Sequence, residues 1–359
     1  MNDTLQDVIR AATRLTQAGH LTEATELIQR ALSGSKTPKA APQASAPETS
    51  FVIDGIVLNR SVDDDQPNAE INGAGDFTSG SHTHAALTRN YKLYVPPQHA
   101  GRALALVVML HGCTQHPDDF AAGTDMNARA REQGFFVLYP AQSQDGNAQR
   151  CWNWFARAHQ QRDSGEPALL ADLTQSVIKR YGIDRQRVYI AGLSAGGAMA
   201  DIVAASHPEI YAAAGVHSGL PRGAATNVAG AFAVMKNGEP ASRSTAKVSD
   251  ATVPTIVFHG DADQTVHPKN GEQVIAALLR SVDSSEPRVE QGVASGGRSY
   301  TRLIYRADSG ETLAEHWLVK GSGHAWSGGS AKGSYTDGKG PDATGEMLRF
   351  FFEHPLHAG

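Results

Sequence analysis

Residues 187–203 read RVYIAGLSAGGAMADIV, and the fold turns on this stretch. A β-prone run over 187–191 leads into Gly192-Leu193-Ser194-Ala195-Gly196, and a segment of small, helix-compatible residues follows. This is G-x-S-x-G in the setting that gives it meaning, a strand, a sharp turn and a helix. Such a turn holds the serine in a strained backbone conformation. Gly192 and Gly196 remove the side chains that would collide there. Ser194 is therefore the candidate nucleophile, with its hydroxyl at the positive end of the following helix.

A serine hydroxyl is a weak nucleophile near neutral pH. It needs a base, and the base needs an orienting acid. Both are offered downstream. The run PTIVFHG continues into DADQTVHP, which contains Asp261 and Asp263. Asp263 fits H-G-x-x-D-x-x-V with Val266 in place, and Asp261 is the alternative, or a cap for the turn. His324 lies in VKGSGHAW, beyond the last expected strand and after Gly321 and Gly323, which let the loop fold back. The order Ser, Asp, His is that of α/β-hydrolases. Upstream, LALVVMLHGCTQ ends a buried strand at His111-Gly112-Cys113. In this fold one oxyanion-hole N–H comes from that strand-end loop and the other from the residue after the nucleophile. Those residues are Cys113 and Ala195.

Working outward, apolar runs alternate with amphipathic segments. Strands are expected at 91–95, 104–110, 135–139, 187–191, 213–217, 255–259 and 315–320. Helices are expected at 118–133, 167–181, 195–206, 271–279 and 341–352. The pattern predicts an α/β-hydrolase fold, a mostly parallel central sheet with helices on both faces, over residues 88–356. Long Gly/Ser-rich loops are expected at 221–250, a possible lid, and at 282–299 and 321–340. Residues 1–33 read as a helical hairpin, 34–50 as a flexible linker rich in Pro, Ala and Ser, and 51–87 as an irregular lead-in. A hairpin this small cannot bury its own apolar stripe. Residues 1–32 are thus expected to dock on the main domain, self-associate or meet a granule surface.

The 359 residues carry 32 Lys+Arg and 37 Asp+Glu, so no basic footprint for nucleic acid is present. Two cysteines exclude a disulfide-dense scaffold and a four-thiolate zinc site. No histidine spacing suits a metal, and the only dense glycine cluster is the elbow itself, so no metal or cofactor is expected. The longest wholly apolar run, 103–110, is too short to span a membrane. The acidic N-terminus lacks an export-signal pattern, which predicts a cytoplasmic location, with an extracellular one, as in exported relatives, the alternative.

Residues 151–155, CWNWF, cluster aromatics in a loop. They read either as a local aromatic core or as a cleft wall stacking on an apolar acyl chain, with Trp326 facing it.

Together HGCTQ, CWNWF, IDRQRVYIAGLSAGG, the HG-x-x-D-x-x-V element and GSGHAWSGG resemble the poly(3-hydroxybutyrate) depolymerase family of serine esterases, whose relatives include feruloyl and acetylxylan esterases. The resemblance runs from about Phe77 to Leu356. It implies a triad of Ser194, Asp263 and His324 and an oxyanion donor at Cys113. It also implies aromatic substrate contacts at Trp152, Trp154 and Trp326, with Asn153 and Gln115 of the same motifs as further candidates. Similar cysteines in the family can pair, so Cys113 and Cys151 are expected to lie close, bridged or as two buried thiols. The expected activity is hydrolysis of 3-hydroxybutyrate-type esters, polymer or oligomer, through an acyl-enzyme. The alternatives are a feruloyl, acetylxylan or general carboxylesterase, and a catalytically inactive granule-binding protein. Secreted depolymerases of the family carry a separate polymer-adhering domain. The hairpin and linker here do not resemble one, which directs the expectation toward amorphous granules or soluble oligomers.

Overall fold

A computed structural model describes residues 75–238, 252–280, 282 and 286–356. The chain divides into a unit Met1–Ile71 and a unit Asn72–Gly359. The expected hairpin, the linker and the first part of the lead-in lie outside the described residues, as does most of the second half of loop 221–250.

In chain order the strands are β1 (Asp76–His84), β2 (Leu87–Val95), β3 (Leu106–Leu110), β4 (Phe136–Pro140), β5 (Val188–Leu193), β6 (Ala213–His217), β7 (Thr255–Gly260), β8 (Arg288–Val293), β9 (Ser299–Arg306), β10 (Thr312–Val319), β11 (Trp326–Ser327) and β12 (Thr336–Asp337). The helices are α1 (Pro117–Thr124), α2 (Met126–Gln133), α3 (Gly165–Tyr181), α4 (Ala195–Ser206), α5 (Val228–Asn237), α6 (Lys269–Leu279) and α7 (Ala343–Phe352). The main sheet runs β1-β2-β4-β3-β5-β6-β7-β10-β9-β8. From β4 to β10 every neighbouring pair is parallel, and antiparallel strands flank this block on both sides.

The central strands are continuous apolar runs because both of their faces are covered. Leu106, Val108 and Leu110 of β3 pack with α3 and α4, while Val107 and Met109 pack with α1, α2 and α7. This is the strand's period of two expressed as two cores. The fold is the α/β-hydrolase architecture expected from the sequence.

Several local expectations are corrected. The lead-in is not irregular up to residue 87: Asp76–His84 forms β1, paired with β2 in a hairpin. Its residues DFTSGSHTH are nearly all polar, as suits an edge strand, and a reading keyed to apolar runs passes over them. The loop 282–299 and the residues after it contain the β8–β9 hairpin, a largely exposed or half-buried edge with Val289 and Val293 facing solvent. The single helix expected at 118–133 is two helices, broken at Asp125, whose φ is 54°. Loop 221–250 contains α5, and loop 321–340 contains the short parallel pair β11–β12.

Candidate active site

Because β3, β5, β6, β7 and β10 are parallel, their C-terminal ends share one edge of the sheet. There the chain leaves β5 into Ser194, β7 toward Asp263, β10 toward His324 and β3 toward Cys113. The register aligns Leu193 with His217, His217 with Phe258, and Gly260 with Val319. Strand order thus sets Ser194, Asp263 and His324 on one edge of the sheet, and brings together Asp263 and His324 across 61 positions of sequence.

Ser194 has φ 57° and ψ −120°, a conformation that L-residues avoid and that marks a strained turn. A side chain on Gly196 would overlap the Leu110 carbonyl oxygen, and one on Gly192 would overlap Gly196. Helix α4 can therefore start directly against β3, with Ser194 at its N-cap position. The Ser194 amide donates to the His217 carbonyl at 2.9 Å, and the serine is 8% exposed.

The pair Asp263–His324 is formed. Asp263 Oδ2 and His324 Nδ1 are 2.7 Å apart, which leaves the imidazole Nε2 as the nitrogen available for a hydroxyl proton. Asp263 Oδ1 accepts from the amides of Thr265 and Val266, each at 2.9 Å, and His259 Nε2 lies 3.4 Å from Oδ2. Burial by itself would raise the Asp263 pKa. The hydrogen bonds from His259, His324 and Val266 and the His324 charge outweigh it and hold the carboxyl well below its ordinary range. Asp261 instead accepts from the Gly321 amide at 2.6 Å and pairs with Lys320 at 3.2 Å. It braces the loop before His324 and does not touch the imidazole.

The amides of Cys113 and Ala195 donate to no other group among the described residues. The neighbouring Gly112 amide, by contrast, is held by Gln115 Oε1 at 2.9 Å. One of these amides follows the end of β3 and the other opens α4 directly after Ser194.

Cys113 and Cys151 form a disulfide with Cα atoms 4.2 Å apart. It ties the oxyanion loop to the aromatic loop, so the two cysteines are close as expected.

The aromatic contacts are corrected. Trp152 is fully buried and donates its indole N–H to the His111 carbonyl at 3.1 Å. Trp326 is 1% exposed, stacks on His217, meets Phe120 edge-on and donates to Thr344 Oγ1 at 3.0 Å. Both indoles have their polar handle satisfied inside the protein, so they brace the loops from behind rather than line an open cleft. Trp154 is also buried, edge-on to Phe155. Gln115 is buried too, and bridges Gly112 to Asp119 and Ser334. Asn153 donates through its backbone and its side chain to Glu166.

Three supporting residues escaped the sequence reading. Glu166, fully buried at the start of α3, accepts from Asn153, Gln142 and Arg89, which pins the aromatic loop. His217 accepts the Ser327 amide on Nε2 at 2.9 Å while its carbonyl takes the Ser194 amide, linking the elbow to the loop that bears His324. Burial and the nearby His259 and His324 push its pKa well below the ordinary value, so it stays neutral. His111 accepts from the Gln142 amide at 3.1 Å, and burial pushes its pKa down to about 4. No local signal marks these residues, because their partners come from distant segments.

The strand order, the elbow and the Asp263–His324 pair define an α/β-hydrolase. A family profile described as "Esterase PHB depolymerase" matches residues 89–288, and the chain belongs to that family. It is 32% identical over 230 residues to poly(3-hydroxyalkanoate) depolymerase C of Paucimonas lemoignei, covering 61% of this chain and 54% of that protein. It is 26% identical over 253 residues to a probable acetylxylan esterase A of Aspergillus clavatus, covering 62% and 78%. The chain spans about half the length of the depolymerase relatives it matches. Among solved structures, acetyl xylan esterase from Aspergillus awamori superposes with a TM-score of 0.58 at 21% identity, over 74% of this chain and 94% of that one. An S-formylglutathione hydrolase from Agrobacterium tumefaciens gives 0.52 at 14% identity, over 79% and 98%. These likenesses bear on the fold.

Proposed function

We propose that this protein is a serine carboxylic-ester hydrolase working through an acyl-enzyme on Ser194, and that its substrates are 3-hydroxybutyrate-type polyester or its oligomers. The observation that carries the reading is the strained elbow of Ser194 at the end of β5 together with a hydrogen-bonded Asp263–His324 pair after β7 and β10, on the same edge of the sheet. His324 Nε2 takes the Ser194 proton as Oγ attacks the ester carbonyl. The N–H groups of Cys113 and Ala195 receive the oxyanion, each such donor contributing about 3–4 kcal/mol to the transition state. His324 then returns the proton to the leaving alcohol, and water releases the acid by the reverse sequence. Asp263, kept ionised, holds the imidazole tautomer and stabilises the imidazolium.

The substrate preference is supported by the higher identity to a polyhydroxyalkanoate depolymerase than to the acetylxylan esterases. An acetylxylan or feruloyl esterase is the second reading, favoured by the larger share of those relatives that the chain covers. A fluorophosphonate probe should label Ser194, and an unlabelled folded protein would defeat the ester-hydrolase reading. Turnover of a hydroxybutyrate trimer, methyl ferulate and acetylated xylan should be compared side by side. A ferulate or xylan rate far above the trimer would move the assignment to the second reading.

A further inference from the structure

With the tryptophans turned inward, another group of residues borders the oxyanion loop. Thr114, Arg150 and Tyr335 all have left-handed backbones, with φ of 66°, 52° and 52°. A non-glycine residue in that region costs on the order of 1 kcal/mol or more and persists only where its surroundings hold it. These three are joined around the Cys113–Cys151 bridge. The Thr114 amide donates to the Gln149 carbonyl at 2.6 Å, and Thr114 Oγ1 is 3.1 Å from the Tyr335 hydroxyl. Arg150 immediately precedes Cys151, and its amide donates to the Asn147 carbonyl at 2.8 Å. The Tyr335 carbonyl accepts the Trp326 amide at 2.7 Å, two residues past His324. Tyr335 thus bridges the loop of the base and the loop of the oxyanion donor, and the residue is 45% exposed.

Arg150 is half-buried and makes no ion pair among the described residues. Its positive charge is close enough to buried His111, two residues before Cys113, to help lower that imidazole's pKa. The carboxylate of Asp119, on α1 just after the oxyanion loop, is saturated by Ser334 and Gln115.

We propose that Thr114, Arg150 and Tyr335 form a substrate subsite at the mouth of the active site that selects hydroxyacyl oligomers ending in a free carboxylate, Arg150 pairing with the carboxylate and Tyr335 lying along the chain. This rests on the ester-hydrolase reading and narrows its substrate class. The guanidinium fork matches a carboxylate in geometry as well as charge, and partial burial protects the pair from screening. An aromatic ring with a hydroxyl tip suits a chain of alternating methyl and ester groups. Alkyl ferulates and acetylated xylan offer no such carboxylate.

The test compares kcat/KM for the 3-hydroxybutyrate trimer as free acid and as methyl ester, in the wild type and in Arg150→Gln, Arg150→Lys and Tyr335→Ala. The wild type should favour the free acid. R150Q should raise KM for the acid about tenfold more than for the methyl ester, equivalent to about 1.4 kcal/mol, and R150K should retain part of the preference. Y335A should raise KM for both oligomers alike. Equal use of acid and methyl ester by the wild type would overturn the proposal without any variant, and so would an R150Q effect of the same size on both. Failure of the underlying reading is distinct: neither trimer is cleaved and fluorophosphonate leaves Ser194 unlabelled.

Discussion

The strand-end machinery and the aromatic loop differ in how their residues are placed. Ser194, Asp263 and His324 sit where the parallel strands end, so order along the chain and strand direction set them on one edge of the sheet. The residues of 151–155, with Trp326, are placed by what surrounds them. Trp152 and Trp326 became wedges behind the site because Glu166, His111, His217 and Thr344 satisfy or pack the loops from the inside. An aromatic in a motif near an active site can therefore act as support.

The largest expected effect separates the two regions by activity. Ser194→Ala should reduce kcat on a soluble ester by about 10⁴-fold or more, and Asp263→Asn by about 10⁴-fold, with the fold intact by circular dichroism. Residual activity within tenfold of wild type would break the assignment of the strand ends. Trp152→Ala tests the other region. A buried indole of this size should cost about 3–5 kcal/mol of stability, read as a lowered midpoint in urea. The milder Trp152→Phe, which folds more readily, should shift stability while KM stays within about twofold. A raised KM at unchanged stability would return Trp152 to the cleft wall.

Replacing Cys113 and Cys151 together by serine should cost about 3–4 kcal/mol for a separation of 38 residues. The backbone amide of residue 113 is kept, so the loss should appear in the thermal midpoint more than in kcat. A titration that finds two free thiols in the purified, unreduced protein would remove the bridge.

A further contrast is in pH. His111 is pushed down to about 4 and His316 to about 3 by burial, and His217 is also held well below its ordinary value. Below about pH 6.5 the unfolded chain protonates these imidazoles and the native state does not, so stability falls as pH drops through that range. The slope is on the order of 1 kcal/mol per histidine per pH unit. Asp263 adds in the same direction at lower pH. Its carboxyl is depressed in the native state, so its contribution is complete above the unfolded value near 4 and is lost as pH falls below it. Urea midpoints that stay level between pH 7 and 5 would contradict the neutral, buried state of the histidines.

Much of the site was legible because its signals are local. The elbow needs glycines at fixed offsets, and the acid loop announces itself by H-G-x-x-D-x-x-V. The burial of Trp152, the role of Gln115 beneath Gly112, the carboxylate hub at Glu166 and the bridge at His217 were not legible. Each depends on partners 3 to 110 residues away whose approach is set by packing. The β1 and β8–β9 strands were missed for a related reason: at a sheet's margins one face is wet, and the apolar run that marks a central strand is absent.

From residues 187–203, 255–266 and 315–324 alone follow the parallel sheet, the nucleophile turn and the order of the triad, because backbone sterics and strand direction act over a few residues. Which aromatics face inward, and that the Thr114 and Tyr335 hydroxyls meet, are consequences of three-dimensional packing. Burial and hydrogen-bond pairing are properties of neighbours in space, and no spacing along the chain encodes them.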